Sequence, residues 1–312
     1  MKKHLAAVIT AVAVSISSLA AAAPAAVAAP AGAPYVALGD SVASGNGILP
    51  YSDKQCLRSK RSYPELLAKE LGVDVVSAAC SGASTVDVAQ QIVALGASGA
   101  LGPATELVTL TVGVNNVQFD ADPEPDWPDA LGACSGSFTL QFCEFVLDTA
   151  LSVLKASLPQ EIEARIAEIR AEAPHALIVV TGYPLPFGDV TGTCNAGLFR
   201  DEETGTNTLF TFEAAQTIAI NEAVLRANAL IAEGVRNFQT STGEDGSTVV
   251  YVDVNDVPDG VEGFDGHGVC DRGNPWISRL IPAPAATTDR GFHPNAAGQA
   301  AYADIIGAVI GQ

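Results

Sequence analysis

Short apolar runs rich in β-branched residues alternate with segments of helical periodicity along this chain. The runs span residues 35–38, 73–79, 106–112, 176–181 and 248–252. Apolar residues recur at helical spacing in three other places: Ile162, Ile166 and Ile169; Ile220, Val224 and Ile231; and Tyr302, Ile305 and Val309 in a helix expected to open at Pro294. Nearly continuous apolar strands separated by helices are typical of a parallel sheet covered on both faces. The pattern predicts an α/β fold in a single domain.

Three segments between these elements are long for loops. They are residues 118–149, 182–211 and 253–290. Together they hold four of the six cysteines. We therefore expect disulfides to pin these segments in place of a hydrophobic core.

The amino terminus has the order of a secretory signal peptide. Lys2 and Lys3 precede an apolar run over residues 5–14, and small residues follow at 26–28. A membrane anchor is the alternative, but the run is shorter than the roughly 20 residues that a span requires. We predict a cleaved leader over residues 1–29, a secreted domain over residues 30–312, and no stable membrane insertion.

The charge balance excludes several classes of partner. The chain carries 16 Lys+Arg against 35 Asp+Glu, a formal net charge of -19, and it contains no basic run. Nucleic-acid binding depends on basic side chains that neutralise phosphates. The sequence therefore argues against DNA, RNA and acidic membrane surfaces as partners, and we expect a soluble monomer.

Six cysteines remain after the leader: Cys56, Cys80, Cys134, Cys143, Cys194 and Cys270. An even count in an exported chain predicts disulfides, with 15 connectivities open to six cysteines. A zinc site is not favoured, because no C-x-x-C pair occurs and no histidine lies between Cys134 and Cys143.

Residues that follow the predicted strands are the first candidates for chemistry, because ligands of such sheets bind outside the carboxyl ends of the strands. These residues are Gly39-Asp40-Ser41, Ser81-Gly82-Ala83, Gly113-Val114-Asn115-Asn116 and, ahead of the last helix, His293. Of the other histidines after the leader, His175 lies in a helix-to-strand connection at the opposite edge, and His267 lies in a glycine-rich loop. His293 is therefore the best-placed base.

Ser41 and His293 together would form an activated nucleophile. A serine hydroxyl reacts once an imidazole takes its proton, and the tetrahedral adduct then needs hydrogen-bond donors. The N–H groups of Ser41 and Gly82 and the amide of Asn115 would supply them. Structural roles are the alternative: a helix cap at Asp40 and Ser41, turn or loop residues in the other two segments, and a surface histidine.

These four segments resemble, in order, the four sequence blocks of the SGNH (GDSL) hydrolases. The resemblance covers residues 34–310 and includes a cysteine spacing like that of secreted actinobacterial lipases and esterases. It implies Ser41 as nucleophile, His293 as base, and an oxyanion hole of Ser41, Gly82 and Asn115. It also implies a flavodoxin-like three-layer α/β/α fold with strand order 2-1-3-4-5 and no cofactor or metal.

The same resemblance implies sequential disulfide pairing: Cys56–Cys80, Cys134–Cys143 and Cys194–Cys270.

Two positions depart from the family pattern. The third block usually reads G-x-N-D, and Asn116 here removes any role of a carboxylate at its last position. The family's acid lies three residues before the histidine, where this chain has Arg290, and Asp289 is one residue too early. We expect the backbone carbonyl of Arg290 to orient His293, with the Asp289 carboxylate as the alternative.

The resemblance covers several substrate classes. We predict a lipase or esterase that cleaves a small-molecule or lipid ester of an acyl chain through an acyl-enzyme on Ser41. A carbohydrate deacetylase of the same family is the alternative enzyme. An inactive glycan- or lipid-binding module is the alternative from another class, and the presence of both Ser41 and His293 argues against it.

Overall fold

A computed structural model of the protein describes residues 32–117, 127–136, 138–200, 205–281 and 291–311. The leader predicted for residues 1–29 lies outside the described residues, so it stays a prediction. Within the described ranges, no helix combines the length and the apolar character that a membrane span requires.

The strands follow the order of the predicted apolar runs, with two short hairpins added. In chain order they are β1 (Tyr35–Gly39), β2 (Tyr51–Asp53), β3 (Arg58–Ser59), β4 (Val75–Ser77), β5 (Leu107–Thr111), β6 (Leu177–Thr181), β7 (Thr193–Arg200), β8 (Asn207–Glu213) and β9 (Val249–Val252). The helices are α1 (Ser41–Ser44), α2 (Tyr63–Leu71), α3 (Thr85–Ser98), α4 (Trp127–Ala133), α5 (Leu140–Glu172), α6 (Ala214–Thr242) and α7 (Ala296–Ile310).

Five strands form one parallel sheet in the order β4-β1-β5-β6-β9. Numbered within the sheet alone, this order is 2-1-3-4-5, as the resemblance implies. Every residue of β1 and β5 is buried, which explains why these strands read as continuous apolar runs rather than alternating ones. The predicted α/β fold and its strand order are confirmed.

Helices cover both faces of the sheet. On one face α2 packs against α7, and the rings of Tyr63 and Tyr302 stack with their centroids 5.1 Å apart. On the other face α3 packs against α5, and α5 packs along α6. The molecule is therefore a three-layer α/β/α sandwich in a single domain.

The long segments predicted as loops are partly regular structure. Residues 140–149 are the first turns of α5, α4 lies just before them, and β7 pairs with β8 in an antiparallel hairpin. Pro294 does not open the last helix, because Asn295 is its N-cap and the first helical residue is Ala296. The expected helix start at Pro294 was therefore wrong, whereas the regular structure in the long segments agrees with their unusual length for loops.

Two of the helices are far longer than the strands of the sheet. At 1.5 Å per residue, the 33 residues of α5 and the 29 residues of α6 span about 50 and about 44 Å, against roughly 17 Å for a five-residue strand. Both helices lead into the starts of strands, so their carboxyl ends lie at the amino edge of the sheet. Their first turns therefore project beyond the carboxyl edge, where the predicted site residues are.

Candidate active site

The segment that carries Ser41 begins where the central strand β1 ends. Gly39 has a φ of +134°, and a Cβ there would lie 2.2 Å from the carbonyl oxygen of Thr111, so only glycine fits. Asp40 is the N-cap of α1, and its Oδ1 accepts a hydrogen bond from the Val42 N–H at 3.0 Å. Ser41 is thus the first residue of a short helix at the carboxyl edge of the sheet, and it is partly exposed.

The carboxyl of Asp40 is fully buried beside Ser41. The Tyr183 hydroxyl donates to Asp40 Oδ2, and the Val114 N–H donates to that hydroxyl oxygen at 3.4 Å. Burial raises the pKa of Asp40 from 3.8 to about 7, and the hydrogen bonds from Tyr183 and Val42 oppose this rise. A carboxyl that titrates near neutral pH therefore stands directly before the predicted nucleophile.

The loop that carries Gly82 is held against the end of β1. The Cys80 N–H donates to the Gly39 carbonyl at 2.9 Å, and the Ser81 N–H donates to the carbonyl of Cys56, the disulfide partner of Cys80, at 3.1 Å. Gly82 has a φ of +81°, and a Cβ there would meet no atom within 4 Å. The loop is therefore anchored on one side and open on the other.

Two backbone donors in these segments have no acceptor in the described part of the chain. They are the N–H groups of Ser41 and Gly82. The N–H at the start of a helix has no partner inside the helix, which is why such positions bind anions. Both groups are available to an incoming oxyanion.

The third block follows β5 and brings a side-chain amide to the same loop. Gly113 has a φ of +142°, and the chain then forms a short 3-10 turn over Val114–Asn116. Asn115 Nδ2 donates to the carbonyl oxygen of Ala83 at 3.1 Å, which places its amide next to Gly82. The amide has a second N–H, so it retains a donor for a bound ligand.

The side chain of Asn116 connects the turn after β5 to helices α3 and α5. Its Oδ1 accepts from the Thr85 N–H at 3.0 Å, and its Nδ2 donates to Thr85 Oγ1 at 2.6 Å and to Glu161 Oε2. Residue 116 itself has no carboxylate, as the sequence shows, but it is not without contacts. Asn116 keeps an acceptor oxygen, and a carboxylate is supplied to it by Glu161 of α5.

The imidazole of His293 is oriented by a backbone carbonyl. His293 Nδ1 lies 3.0 Å from the carbonyl oxygen of Gly291. A carbonyl oxygen only accepts, so Nδ1 carries the proton and the lone pair is on Nε2. This is the tautomer that a general base for a serine requires.

Asp289 and Arg290 lie outside the described residues, so neither of the predicted orienting groups is tested. Gly291 is an acceptor that the sequence did not suggest.

The loop that carries His293 is fixed by backbone pairing and aromatic packing. The Phe292 N–H donates to the Ser278 carbonyl, and the Ser278 N–H donates to the His293 carbonyl, both at 2.9 Å. Phe292 has a φ of +61°. Its ring packs edge-on against Phe212 of β8 and against Phe187, which precedes the β7–β8 hairpin. The position of the His293 side chain therefore depends on an aromatic cluster that lies outside the parallel sheet.

Gln299 of α7 links the histidine segment to the nucleophile segment. Its Nε2 donates to the Val42 carbonyl at 3.1 Å, and its Oε1 accepts from the Tyr63 N–H at 2.6 Å. These two bonds tie α7, which begins shortly after His293, to the short helix that carries Ser41 and to the start of α2.

Sequence reasoning missed Tyr183, Gln299 and Glu161. Tyr183 follows the fourth strand of the sheet, so the same rule that selected Ser41, Gly82 and Asn115 would have found it. Gln299 and Glu161 lie on helix faces, and no local pattern marks them.

Three disulfides join the pairs that the resemblance implies: Cys56–Cys80, Cys134–Cys143 and Cys194–Cys270. Cys134, Cys143 and Cys194 are buried within the main hydrophobic core. The expectation that disulfides replace a core in the long segments was therefore wrong, because these bonds lie inside one.

The remaining candidate groups do not join the site. His267 stacks on Trp276 with ring centroids 3.7 Å apart and contacts Glu262, so it has a local partner in its own loop. His175 is exposed in the connection before β6. Among the described residues, no group of three or more His, Cys, Asp or Glu side chains is arranged to hold a metal ion.

Comparisons with known proteins identify relatives over most of the chain. The model of the GDSL-like Lipase/Acylhydrolase family matches residues 37–301. A lipase of Streptomyces rimosus is 30% identical over 273 residues, which cover 85% of this chain and 82% of that protein. Lipase 2 of Streptomyces coelicolor is 30% identical over 287 residues, which cover 86% and 83%.

Solved structures give the same result. Phospholipase A1 from Streptomyces albidoflavus superimposes with a TM-score of 0.66 at 29% identity, covering 90% of this chain and 99% of that one. The extracellular lipase from Streptomyces rimosus also gives 0.66, at 27% identity, covering 88% and 98%.

Proposed function

This chain belongs to the GDSL-like Lipase/Acylhydrolase family and is a carboxylic ester hydrolase, and on that basis we propose that Ser41 is its nucleophile and His293 its base. The observation that carries the proposal is the hydrogen bond between His293 Nδ1 and the Gly291 carbonyl, which places the proton of the neutral imidazole on Nδ1 and its basic lone pair on Nε2. The oxyanion hole consists of the Ser41 and Gly82 N–H groups and the Asn115 amide.

The reaction follows from this assignment. As Ser41 Oγ attacks the ester carbonyl carbon, its proton passes to His293 Nε2, and the carbonyl oxygen becomes an oxyanion bound by the three donors. The intermediate collapses when the ester C–O bond breaks and His293 protonates the leaving alcohol. Water, deprotonated by the same imidazole, then attacks the acyl carbon on Ser41. The bond between that carbon and Ser41 Oγ breaks, His293 returns the proton to Oγ, and the carboxylic acid leaves.

A fluorophosphonate probe and a matched pair of variants test the assignment. We expect the probe to label wild-type protein but not Ser41→Ala, and a protein that takes no label would be a binding module. Asn115→Ala should lower kcat by roughly 100- to 1,000-fold with little change in KM, because its amide matters most when negative charge develops. An unchanged kcat in Asn115→Ala would remove this residue from the oxyanion hole.

We further propose that the natural substrate is an acyl ester held in a lipid aggregate. The projecting first turns of α5 and α6 and the adjacent hairpin expose apolar side chains: Phe138, Phe142, Phe145, Leu209, Ile218 and Leu225. Phe145 is 65% exposed, and the Phe138 and Phe142 rings stack on each other. Arg226 and Asp148 form an ion pair between the two helices, so these first turns lie side by side.

This surface supports a lipid rather than a polysaccharide ester. It lies on the parts of α5 and α6 that extend past the carboxyl edge, the same side as Ser41, and apolar side chains gain free energy by entering acyl chains. The net charge of -19 favours neutral or zwitterionic lipids over anionic ones. An acetylated polysaccharide would offer mainly hydroxyl groups to this surface.

Hydrolysis of p-nitrophenyl esters from acetate to palmitate, of phosphatidylcholine vesicles and of acetylated xylan separates the substrate classes. We expect the double variant Phe142→Ser/Phe145→Ser to lower the ratio of vesicle to p-nitrophenyl acetate hydrolysis at least tenfold. Val93→Ser, which changes a 70% exposed valine on α3, is the control and should leave the ratio unchanged. Xylan as the preferred substrate would instead indicate a deacetylase.

Export and oligomeric state complete the proposal. The three disulfides and the basic, apolar and small-residue order of residues 1–29 support secretion with cleavage near residue 28 or 29. Amino-terminal sequencing of the protein from the culture medium tests the cleavage. Size-exclusion chromatography with light scattering tests the expected monomer.

A further inference from the structure

One carboxylate oxygen of α5 contacts both loops of the proposed oxyanion hole. Glu161 Oε2 accepts a hydrogen bond from Thr85 Oγ1 at 2.7 Å and another from Asn116 Nδ2. Thr85 ends the loop that carries Gly82, and Asn116 directly follows Asn115. The two loops come from different strands of the sheet, and Glu161 belongs to neither.

Arg165, one helical turn after Glu161, binds the backbone of the same threonine. Its Nη1 donates to the Thr85 carbonyl at 2.9 Å, and its Nη2 pairs with Glu168 at 2.5 Å. Thr85 is fully buried, and Asn116 also bridges directly to its N–H and hydroxyl. Hydroxyl, N–H and carbonyl of Thr85 are therefore all fixed by α5 or by the third block.

This arrangement explains why an asparagine stands where the family usually has an aspartate. An aspartate at position 116 would place a second carboxylate against Glu161 at a half-buried position, where the two like charges would repel each other. The Asn116 amide donates to Glu161 while its oxygen still accepts from the Thr85 N–H. The identities of residues 116 and 161 are thus coupled by charge.

We propose that Glu161, acting through Asn116 and Thr85, is a positioning residue that sets the separation of the Gly82 and Asn115 donors in the oxyanion hole. The inference rests on the proposed function. It predicts an effect on kcat and not on substrate binding, because the oxyanion forms only during the reaction. Donors act on the oxyanion only when they stand about 2.7 to 3.1 Å from it, so a small shift between the loops weakens transition-state stabilisation. Glu161 does not itself touch substrate.

Substitutions at position 161 give the first test. Glu161→Ala leaves the Asn116 amide and the Thr85 hydroxyl without this acceptor, and we expect kcat to fall about 10- to 100-fold while KM stays within about twofold. Glu161→Gln keeps an acceptor oxygen and should remain within about fivefold of wild type. Glu163→Ala is the matched control, because Glu163 lies on the same helix but contacts Ser241 of α6, and its kcat should not change.

The second test exchanges the amide and the carboxylate between positions 116 and 161. Asn116→Asp should lower kcat at least tenfold, and adding Glu161→Gln should restore it to within about threefold of wild type, because the new amide donates to the new carboxylate. If Glu161→Ala does not fold, this rescue alone decides the inference. A wild-type kcat in folded Glu161→Ala, or no rescue in the double variant, would overturn it.

Failure of this inference is distinguishable from failure of the proposed function. If Ser41→Ala is inactive while every change at residues 116 and 161 leaves kcat unaltered, the nucleophile stands and the positioning role does not. If Ser41→Ala is fully active, the proposed function itself is wrong.

Discussion

The segments around Ser41 and around His293 are held in place by different parts of the molecule. Gly39 and Asp40 are fixed by the backbone of the neighbouring strand and by buried polar groups within the sheet layers. His293 and Phe292 are fixed by a neighbouring loop and by aromatic rings beside the β7–β8 hairpin. Gly39 and Asp40, which precede the proposed nucleophile Ser41, are therefore part of the fold's core, whereas the loop of the proposed base His293 is attached to it. Changes at Gly39 or Asp40 should cost stability, and changes around His293 should cost activity first.

Removing either reactive side chain should have the largest effect. Ser41→Ala and His293→Ala should each lower kcat at least about ten-thousandfold, because nucleophile and base act as one unit. Both variants should melt close to wild type, since neither side chain is in the core. His175→Ala, at the opposite edge of the sheet, is the control. The assignment is wrong if Ser41→Ala keeps more than a few per cent of activity on a p-nitrophenyl ester.

Adding one methyl group to a glycine in each segment tests the comparison directly. In Gly39→Ala the new Cβ meets the Thr111 carbonyl at 2.2 Å with φ at +134°, so we expect a loss of roughly 3 to 5 kcal/mol in the free energy of unfolding. In Gly291→Ala it meets the end of the Leu280 side chain at 2.3 Å, which can rotate away, at a cost of roughly 1 kcal/mol. Urea denaturation measures both. Equal losses would show that the two segments are held with the same rigidity.

The buried carboxyl of Asp40 should make stability depend on pH. Its pKa is about 7 in the folded protein and 3.8 when exposed, so the folded state holds a proton that the unfolded state loses. This contribution is fully present below about pH 4 and is lost as pH rises to about 7, a change on the order of 4 kcal/mol. Asp40→Asn lacks it. The free energy of unfolding of wild type minus that of the variant should fall between pH 4 and 7 and stay level above. A constant difference would contradict the raised pKa.

The smallest effects are expected from the residues that the family pattern would assign to the acid. If a backbone carbonyl orients His293, Asp289→Asn and Arg290→Ala should each keep kcat within about tenfold of wild type. An essential triad aspartate changed to asparagine costs about ten-thousandfold. A loss of a thousandfold or more in Asp289→Asn, with an unchanged circular dichroism spectrum, would instead identify a Ser-His-Asp triad with shifted spacing.

The sheet was predictable because its strands are rich in β-branched and other apolar residues, and every residue of the two central strands β1 and β5 is buried. Strand ends then located Ser41, Gly82 and Asn115 with no knowledge of packing. The start of α5 escaped prediction because Phe142 and Phe145 lie on its solvent side and break the apolar periodicity that marks a buried face. The β7–β8 hairpin escaped because it pairs outside the sheet and contains Gly197 at a register shift.

The contacts that hold the site together were less predictable than the site residues. Tyr183 reaches Asp40 across 143 residues of chain, and Gln299 reaches Val42 across 257. Such contacts depend on how helices and strands pack, and a single sequence contains no periodic or compositional signal for them. The acceptor at Gly291 depends likewise on a local backbone conformation that its residue type leaves open.

The link from Gln299 to Val42 also has a consequence for the order in which the enzyme becomes active. A ribosome makes the nucleophile segment first, and more than two hundred residues later it makes the base and the glutamine that joins the two ends of the chain. A nascent chain that stops before residue 293 can complete much of the sheet, yet it has neither His293 nor the Gln299–Val42 contact that ties α7 to the segment of Ser41. With Ser41 as nucleophile and His293 as base, as proposed above, the chain can therefore gain ester-hydrolase activity only after its carboxyl-terminal segment has been made.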